Sequence, residues 1–174
     1  MNTKLQPYVI FINGASGAGK TSIVNELARQ NADQEIAFLH FNSSPMPSEE
    51  EMIEKFGSGS AWQEYKTYQE IKNIATKYSH MKSVIIEGQS NFDFIIGAFK
   101  AFHIYNYEII LIYCADNIRH LRLKMERNQP HLINQDMDNW SKFLFNQAIK
   151  YHSPVINTSN CVLEKVILEI KQYM

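Results

Sequence analysis

Cysteine is scarce: Cys114 and Cys161 are the only two in 174 residues, far apart and forming no C-x-x-C. That points away from a disulfide framework and toward two buried free thiols in a reducing, cytoplasmic compartment. The six histidines show no metal-ligand spacing and read as surface or packing residues. Long apolar runs are missing too. Tyr107 to Ala115 is about strand length and far too short to span a bilayer, so no membrane partner is expected. Met1 to Gln6 is polar and makes no signal-peptide front, because the apolar stretch after it reads as a core strand. Neither sign of charge prevails: 17 Lys and Arg against 18 Asp and Glu give a formal net charge of −1 and no reason to expect nucleic acid as a partner. Repeats and low-complexity segments are absent, and the length suits one domain over residues 1–174 with a sizeable core.

Against this plain background, residues 14–21 read Gly-Ala-Ser-Gly-Ala-Gly-Lys-Thr, a complete G-x-x-x-x-G-K-[ST] phosphate-binding loop. An apolar run, Tyr8 to Ile12, precedes it and a helix-like segment follows. Two glycines, a lysine and a Ser/Thr at these offsets arise by chance in about 1% of chains this long, and the strand-loop-helix context lowers that further. Gly14, Gly17 and Gly19 let the backbone turn and approach an anion closely. The N–H groups of Ala15, Ser16, Ala18 and Ser22, with the helix N-terminus, can then point at phosphate oxygens. Lys20 is placed to reach the β- and γ-phosphates and the Thr21 hydroxyl to ligate Mg²⁺. The implied ligands are a nucleoside triphosphate and Mg²⁺.

The rest of the chain alternates strands and helices. Strands are expected at Tyr8–Ile12, Glu35–Phe41, Ser83–Glu87, Tyr107–Cys114 and Pro154–Ile156. Between them the first helix ends near Gln30. The capping box Ser48-Glu49-Glu50-Glu51 opens a short second one, broken at Gly57-Ser58-Gly59-Ser60. Further helices are expected over residues 61–78, 91–103, 116–127, 136–151 and about 162–170. Continuous apolar strands alternating with helices mean an α/β fold: a five-stranded parallel sheet in three layers, helices on both faces. Ligands then bind at the carboxyl ends of the strands, where the loop, Phe41-Asn42, Glu87-Gly88 and Asn157-Thr158 converge.

This arrangement resembles the small P-loop kinases, such as adenylate, shikimate and gluconate kinases and chloramphenicol phosphotransferase, over nearly the whole chain. Ile85-Ile86-Glu87-Gly88 resembles the acidic strand end facing Mg²⁺ and substrate. Leu121-Arg122-Leu123-Lys124-Met125-Glu126-Arg127 is similar to the arginine-bearing helix leading into the lid, here about 122–138. Pro154-Val155-Ile156-Asn157-Thr158-Ser159-Asn160 resembles the late loop beside the nucleotide base. Phe41-Asn42-Ser43-Ser44-Pro45 with Ser48-Glu49-Glu50-Glu51-Met52 resembles a bacterial group of kinase-like proteins of undefined substrate. The resemblance implies ATP-dependent phosphoryl transfer to a small-molecule acceptor bound by residues 43–80, in a monomer or homodimer. Asn42 departs from the Asp that many such kinases carry; an amide positions a group but accepts no proton. Asn157 likewise stands where Asp is common.

Phosphoryl transfer needs positioning and charge neutralisation more than covalent chemistry. Of only four arginines, Arg119, Arg122 and Arg127 fall on one expected helix within an arc of about 140°, so they can share a face. Lys20, Glu87, Arg122 and Arg127 are the catalytic candidates; Arg119, Asn157 and Thr158 join the loop in nucleotide binding; Thr21 and Glu87 are the metal candidates. Glu87 can instead cap the next helix. Asp93 reads as a helix-start residue, and Asp116, Asp136 and Asp138 as residues opening their helices. Met52, Trp62, Tyr65 and Tyr68 can line an acceptor pocket or pack, and Trp140 reads as core. Two other functions stay open: a nucleotide-binding module without catalysis, and a GTPase or motor, which the absence of Asn-Lys-x-Asp disfavours.

Overall fold

The computed structural model describes residues 6–31, 33–41 and 47–174; Asn42 lies outside the described residues. Five strands form the sheet: β1 (Tyr8–Asn13), β2 (Ile36–His40), β3 (Ser83–Glu87), β4 (Tyr107–Tyr113) and β5 (Val155–Asn157). Their order is β2-β3-β1-β4-β5 and every pairing is parallel. The apolar runs are continuous because both faces are covered. In β1, Val9 and Phe11 point to one core, Ile10 and Ile12 to the other, and all four are fully buried.

The described residues form seven α-helices: α1 (Lys20–Gln30), α2 (Glu49–Phe56), α3 (Gly59–Lys77), α4 (Phe92–Ala101), α5 (Asp116–Met125), α6 (Gln135–Lys150) and α7 (Leu163–Ile170). Ile71 and Ile74 of α3, Phe92, Ile95 and Phe99 of α4, and Leu144 of α6 close the first core. Ile23, Val24 and Leu27 of α1, with Val166, Ile167 and Ile170 of α7, close the second. The expected three-layer sheet is the one observed.

Local signals set several boundaries. Ser48 makes both hydrogen bonds of its capping box with Glu51. Gly57 ends α2 at φ 86°, and Ser58 caps α3 at once by accepting from Ala61 N at 3.1 Å. The break expected over 57–60 is therefore only this junction, and α3 starts at Gly59 rather than Ala61.

Helix α5 is shorter than expected. It ends at Met125, and the chain turns out through Asn128 at φ 51°, with Gln129 N–H returning to the Leu123 carbonyl at 2.8 Å. Arg127 thus leaves the helix that carries Arg119 and Arg122, and the shared arginine face does not form. Asp116 is the first helical residue rather than the cap. Cys114 is buried as expected, but Cys161 is exposed. No helix among the described residues is long and apolar enough to cross a membrane.

Phe99, fully buried against the sheet, and Leu168, 65% exposed on α7, give a direct test of this core. Phe99→Ala is expected to cost about 3–5 kcal/mol in urea unfolding and Leu168→Ala no more than about 0.5 kcal/mol. Equal losses would contradict the assignment.

Candidate active site

The phosphate loop is built at the carboxyl end of β1. Asn13, fully buried, pins it. Its Oδ1 accepts from Gly14 N (3.0 Å) and Ser90 N (3.1 Å), while its Nδ2 donates to Ser90 O (2.8 Å). Ser90 Oγ in turn pairs with Thr67 Oγ1 of α3 at 2.7 Å. One amide therefore ties the loop to the β3–α4 connection and, through it, to the segment between β2 and β3.

Two glycines are needed for shape. A Cβ at Gly14 would stand 2.5 Å from the Ile112 carbonyl oxygen, and one at Gly17 would stand 2.9 Å from side-chain carbons of Arg119 and Leu123. Both also hold positive φ, so any side chain would strain the loop. Gly19, also at positive φ, precedes Lys20, the first residue of α1, and leaves the helix N-terminus open.

Lys20 is buried and its Nζ donates to the Ala15 carbonyl at 3.1 Å. Burial pushes its pKa down from 10.5 to about 8; Glu87 opposes the fall and Arg127 adds to it. An ammonium held this way is short of counter-charge, the condition a phosphate relieves.

Glu87, the last residue of β3, is buried, and its Oε1 accepts from Thr21 Oγ1 (3.1 Å) and pairs with His40 Nδ1 (2.9 Å). It does not cap α4, because Asn91 does. His40, which the sequence offers only as a surface or packing histidine, comes in through the register that sets it opposite Glu87 on neighbouring strands. Two oxygen donors, Thr21 and Glu87, are what a protein typically contributes to Mg²⁺ beside nucleotide phosphates. Ser16 Oγ lies 3.2 Å from Gln89 Oε1 on the same rim.

The arginines separate. Arg119 is fully buried beneath the loop: Nη1 donates to Ser16 O at 3.4 Å, and Nη2 pairs with Asp116 at 3.3 Å and with Asp138 of α6. Burial works against ionisation of Asp138, but bonds from His120 and Arg119 outweigh it and hold its pKa low. Arg119 therefore braces the loop from behind. Asp138 does more than open α6, whose cap is Asn134.

Arg122 reaches across to the late loop, donating to Thr158 Oγ1 (3.1 Å) and Thr158 O (2.7 Å). Thr158 Oγ1 donates to Ala18 O at 2.9 Å. Asn157 stays exposed and shapes its own turn, accepting from Ser159 N and Oγ.

Three cavities open on this edge. One of about 280 Å³ lies over the loop, lined by Gly17, Gly19, Thr21, Ser22, Arg122 and Arg127. A second, about 270 Å³, runs from Ala18 and Ser22 past Arg122 to Thr158 and Leu163. A third, about 320 Å³, lies on the other side of Thr21, between Lys20, Glu87, Gln89, Trp62, Gln63 and Arg127. Of the aromatic residues expected there, only Trp62 lines it; Tyr65 and Tyr68 face a separate shallow surface with Phe102, and Met52 is buried.

Fold and site together define a P-loop NTPase with the architecture of the small kinases. The chain belongs to the AAA domain family, whose sequence model matches residues 10–142. Solved structures with this fold include a shikimate kinase from Acinetobacter baumannii in complex with shikimate, at 16% identity and TM-score 0.58 over 97% of this chain and 93% of that one. A deoxyadenosine kinase from M. mycoides with bound dATP aligns at 13% identity and TM-score 0.57 over 94% and 97%. A shikimate kinase from Bacteroides thetaiotaomicron aligns at 15% identity and TM-score 0.53 over 95% and 97%. No curated protein matches the sequence.

Lys20 yields a test of the site before any ligand is added. Its folded pKa lies below its ordinary value, so the unfolded chain holds the proton more tightly between about pH 8 and 10.5. Its contribution to stability therefore rises with pH across that window. Relative to Lys20→Met, the wild-type protein is expected to gain up to about 3 kcal/mol in urea unfolding between pH 7 and 11. A difference that stays constant with pH would contradict the buried, under-compensated ammonium.

Proposed function

We propose that this protein is a cytoplasmic kinase that transfers the γ-phosphoryl group of Mg²⁺-ATP to a hydroxyl of a small molecule. The observation that carries the reading is the meeting of two cavities. The one over the loop and the one beside Trp62 share Thr21 and Arg127, and Lys20 and Glu87 line the latter. A switch that transfers to water has no use for a second cavity at the phosphate end.

The residues divide the work. Backbone N–H groups of residues 15–22 and the start of α1 bind the phosphates. Thr21 would hold Mg²⁺ directly and Glu87 through a coordinated water, and the ion when bound supplies charge neutralisation at the transferring phosphate. Lys20 neutralises charge from within the loop. Arg127, exposed on the α5 exit and bordering both cavities, closes over the group in transfer. Arg122 belongs to the nucleotide side, locking Thr158 against the loop. Glu87 Oε1 already takes two hydrogen bonds, which leaves Oε2 to accept the acceptor's hydroxyl proton.

ADP release measured with Mg²⁺-ATP across nucleosides, sugars, hydroxy acids and antibiotics tests this. Some acceptor is expected to stimulate release, with Lys20→Ala and Glu87→Gln losing about 10²–10⁴-fold and Arg127→Ala about 10³-fold. Release that no acceptor stimulates, or that survives in Lys20→Ala, would overturn the kinase and favour a binding module.

A further inference from the structure

The acceptor cavity has a neighbour outside the machinery just described. A groove of about 530 Å³ lies between the first turns of α3 and one stripe of α6, and Gln63 lines both it and the cavity beside Glu87. The α6 stripe is Asp136, Asn139, Trp140 and Phe143, spaced i, i+3, i+4 and i+7 on one helix face. Gln63 and Asn91 face it, joined by a hydrogen bond from Asn91 N to Gln63 Oε1 at 3.4 Å.

Its chemistry is specific. Trp140 and Phe143 form a stacked pair, centroids 5.2 Å apart and planes within 24°. Trp140 packs against the sheet core, and its indole N–H has no acceptor among the described residues, so packing alone holds the ring. Around that platform stand three amides. Among the described residues, the one ionisable group lining the groove is Asp136, and no lysine or arginine lines it. A carboxylate or phosphate entering there would meet an anion and no cation. A neutral ring, with its face on the aromatics and hydroxyls or ring nitrogens on the amides, meets no such repulsion.

We infer that the acceptor site has two lobes, and that its ligand is a compound of two linked rings, a nucleoside or a glycoside, whose ring in the second lobe carries no charge. One ring carries its hydroxyl to Glu87 beside Trp62, and the other rests on Trp140 and Phe143. This rests on the kinase reading for the first lobe alone; the second follows from the groove and its continuity through Gln63. A compact hydroxy acid fills the first lobe and leaves the second empty.

The chain has two tryptophans, and one lines each lobe. The indole N–H signals of ¹⁵N-labelled protein therefore report the lobes separately, once assigned with Trp62→Phe and Trp140→Phe. In the presence of a non-hydrolysable ATP analogue, a panel of nucleosides and disaccharides, adenosine and maltose among them, is expected to include a compound that shifts both signals. Shikimate is expected to shift Trp62 alone. Which probe moves both distinguishes nucleoside from glycoside. The double variant Asn139→Ala, Phe143→Ala, which spares the transfer machinery, is expected to raise the KM of that compound about tenfold with kcat within about twofold. A Trp140 signal that no probe moves, or a KM unchanged by the double variant, overturns the second lobe. Lys20-dependent ADP release with shikimate while Trp140 stays still keeps the kinase and removes this inference. Both indoles shifting with no ADP release removes the kinase and keeps the two-lobed site.

Discussion

A buried ammonium with too little counter-charge is the constraint around which the site is organised. Lys20 has a carbonyl partner within the loop, and the carboxylate that opposes its charge, Glu87, already has one oxygen engaged by Thr21 and His40. Such a group is costly to bury in the free protein, and the surrounding structure holds it there. Glycines without Cβ atoms allow the loop to curl around it, Asn13 anchors the loop's first turn, and Arg119 supports its underside. An incoming anion supplies the missing charge, so the fold's stability is spent on preorganising a receptor for phosphate.

The same edge of the sheet gathers parts that are distant in sequence. Strand β1 contributes the loop, β3 contributes Glu87, β2 contributes His40 by register, and the turn after β5 contributes Thr158. The Arg119–Asp138 pair links this edge to α6, since Asp138 lies on the helix that also carries Trp140. Helix α3 is coupled to the loop as well, through Thr67, Ser90 and Asn13. Both walls of the groove between α3 and α6 are thus fastened to the phosphate loop by buried polar contacts, the kind of connection through which filling one site can tighten the other.

How much of this was legible in the sequence follows from which interactions are local. Strands buried on both faces read as continuous apolar runs, and the capping box at Ser48 and the glycine-rich loop are contiguous signatures, so the fold, that helix start and the loop's place after β1 were readable. The end of α5 was not, because it depends on Asn128 turning left-handed just past the expected end at residue 127, with Gln129 returning to the Leu123 carbonyl. Arg119 read as a nucleotide-binding arginine on a face shared with Arg122 and Arg127; its burial beneath the loop goes with Asp138, nineteen residues away on another helix. His40 carried no motif and became visible only through its pairing opposite Glu87. Asn13, an amide at a strand end, likewise gave no signal apart from the Ser90 backbone it grips. Trp140 read as core, and it is half core, half groove, a division that spacing along one helix does not reveal.

Proton uptake on nucleotide binding tests the central claim most directly. At pH 8, Lys20 is about half protonated in the free protein, and a bound triphosphate returns the proton. Calorimetric titration with Mg²⁺-ATP in two buffers of different ionisation enthalpy should show uptake of roughly half a proton at pH 8, falling toward zero at pH 7 and absent in Lys20→Met. A binding enthalpy that is the same in both buffers at pH 8, or uptake that persists in Lys20→Met, would contradict the account.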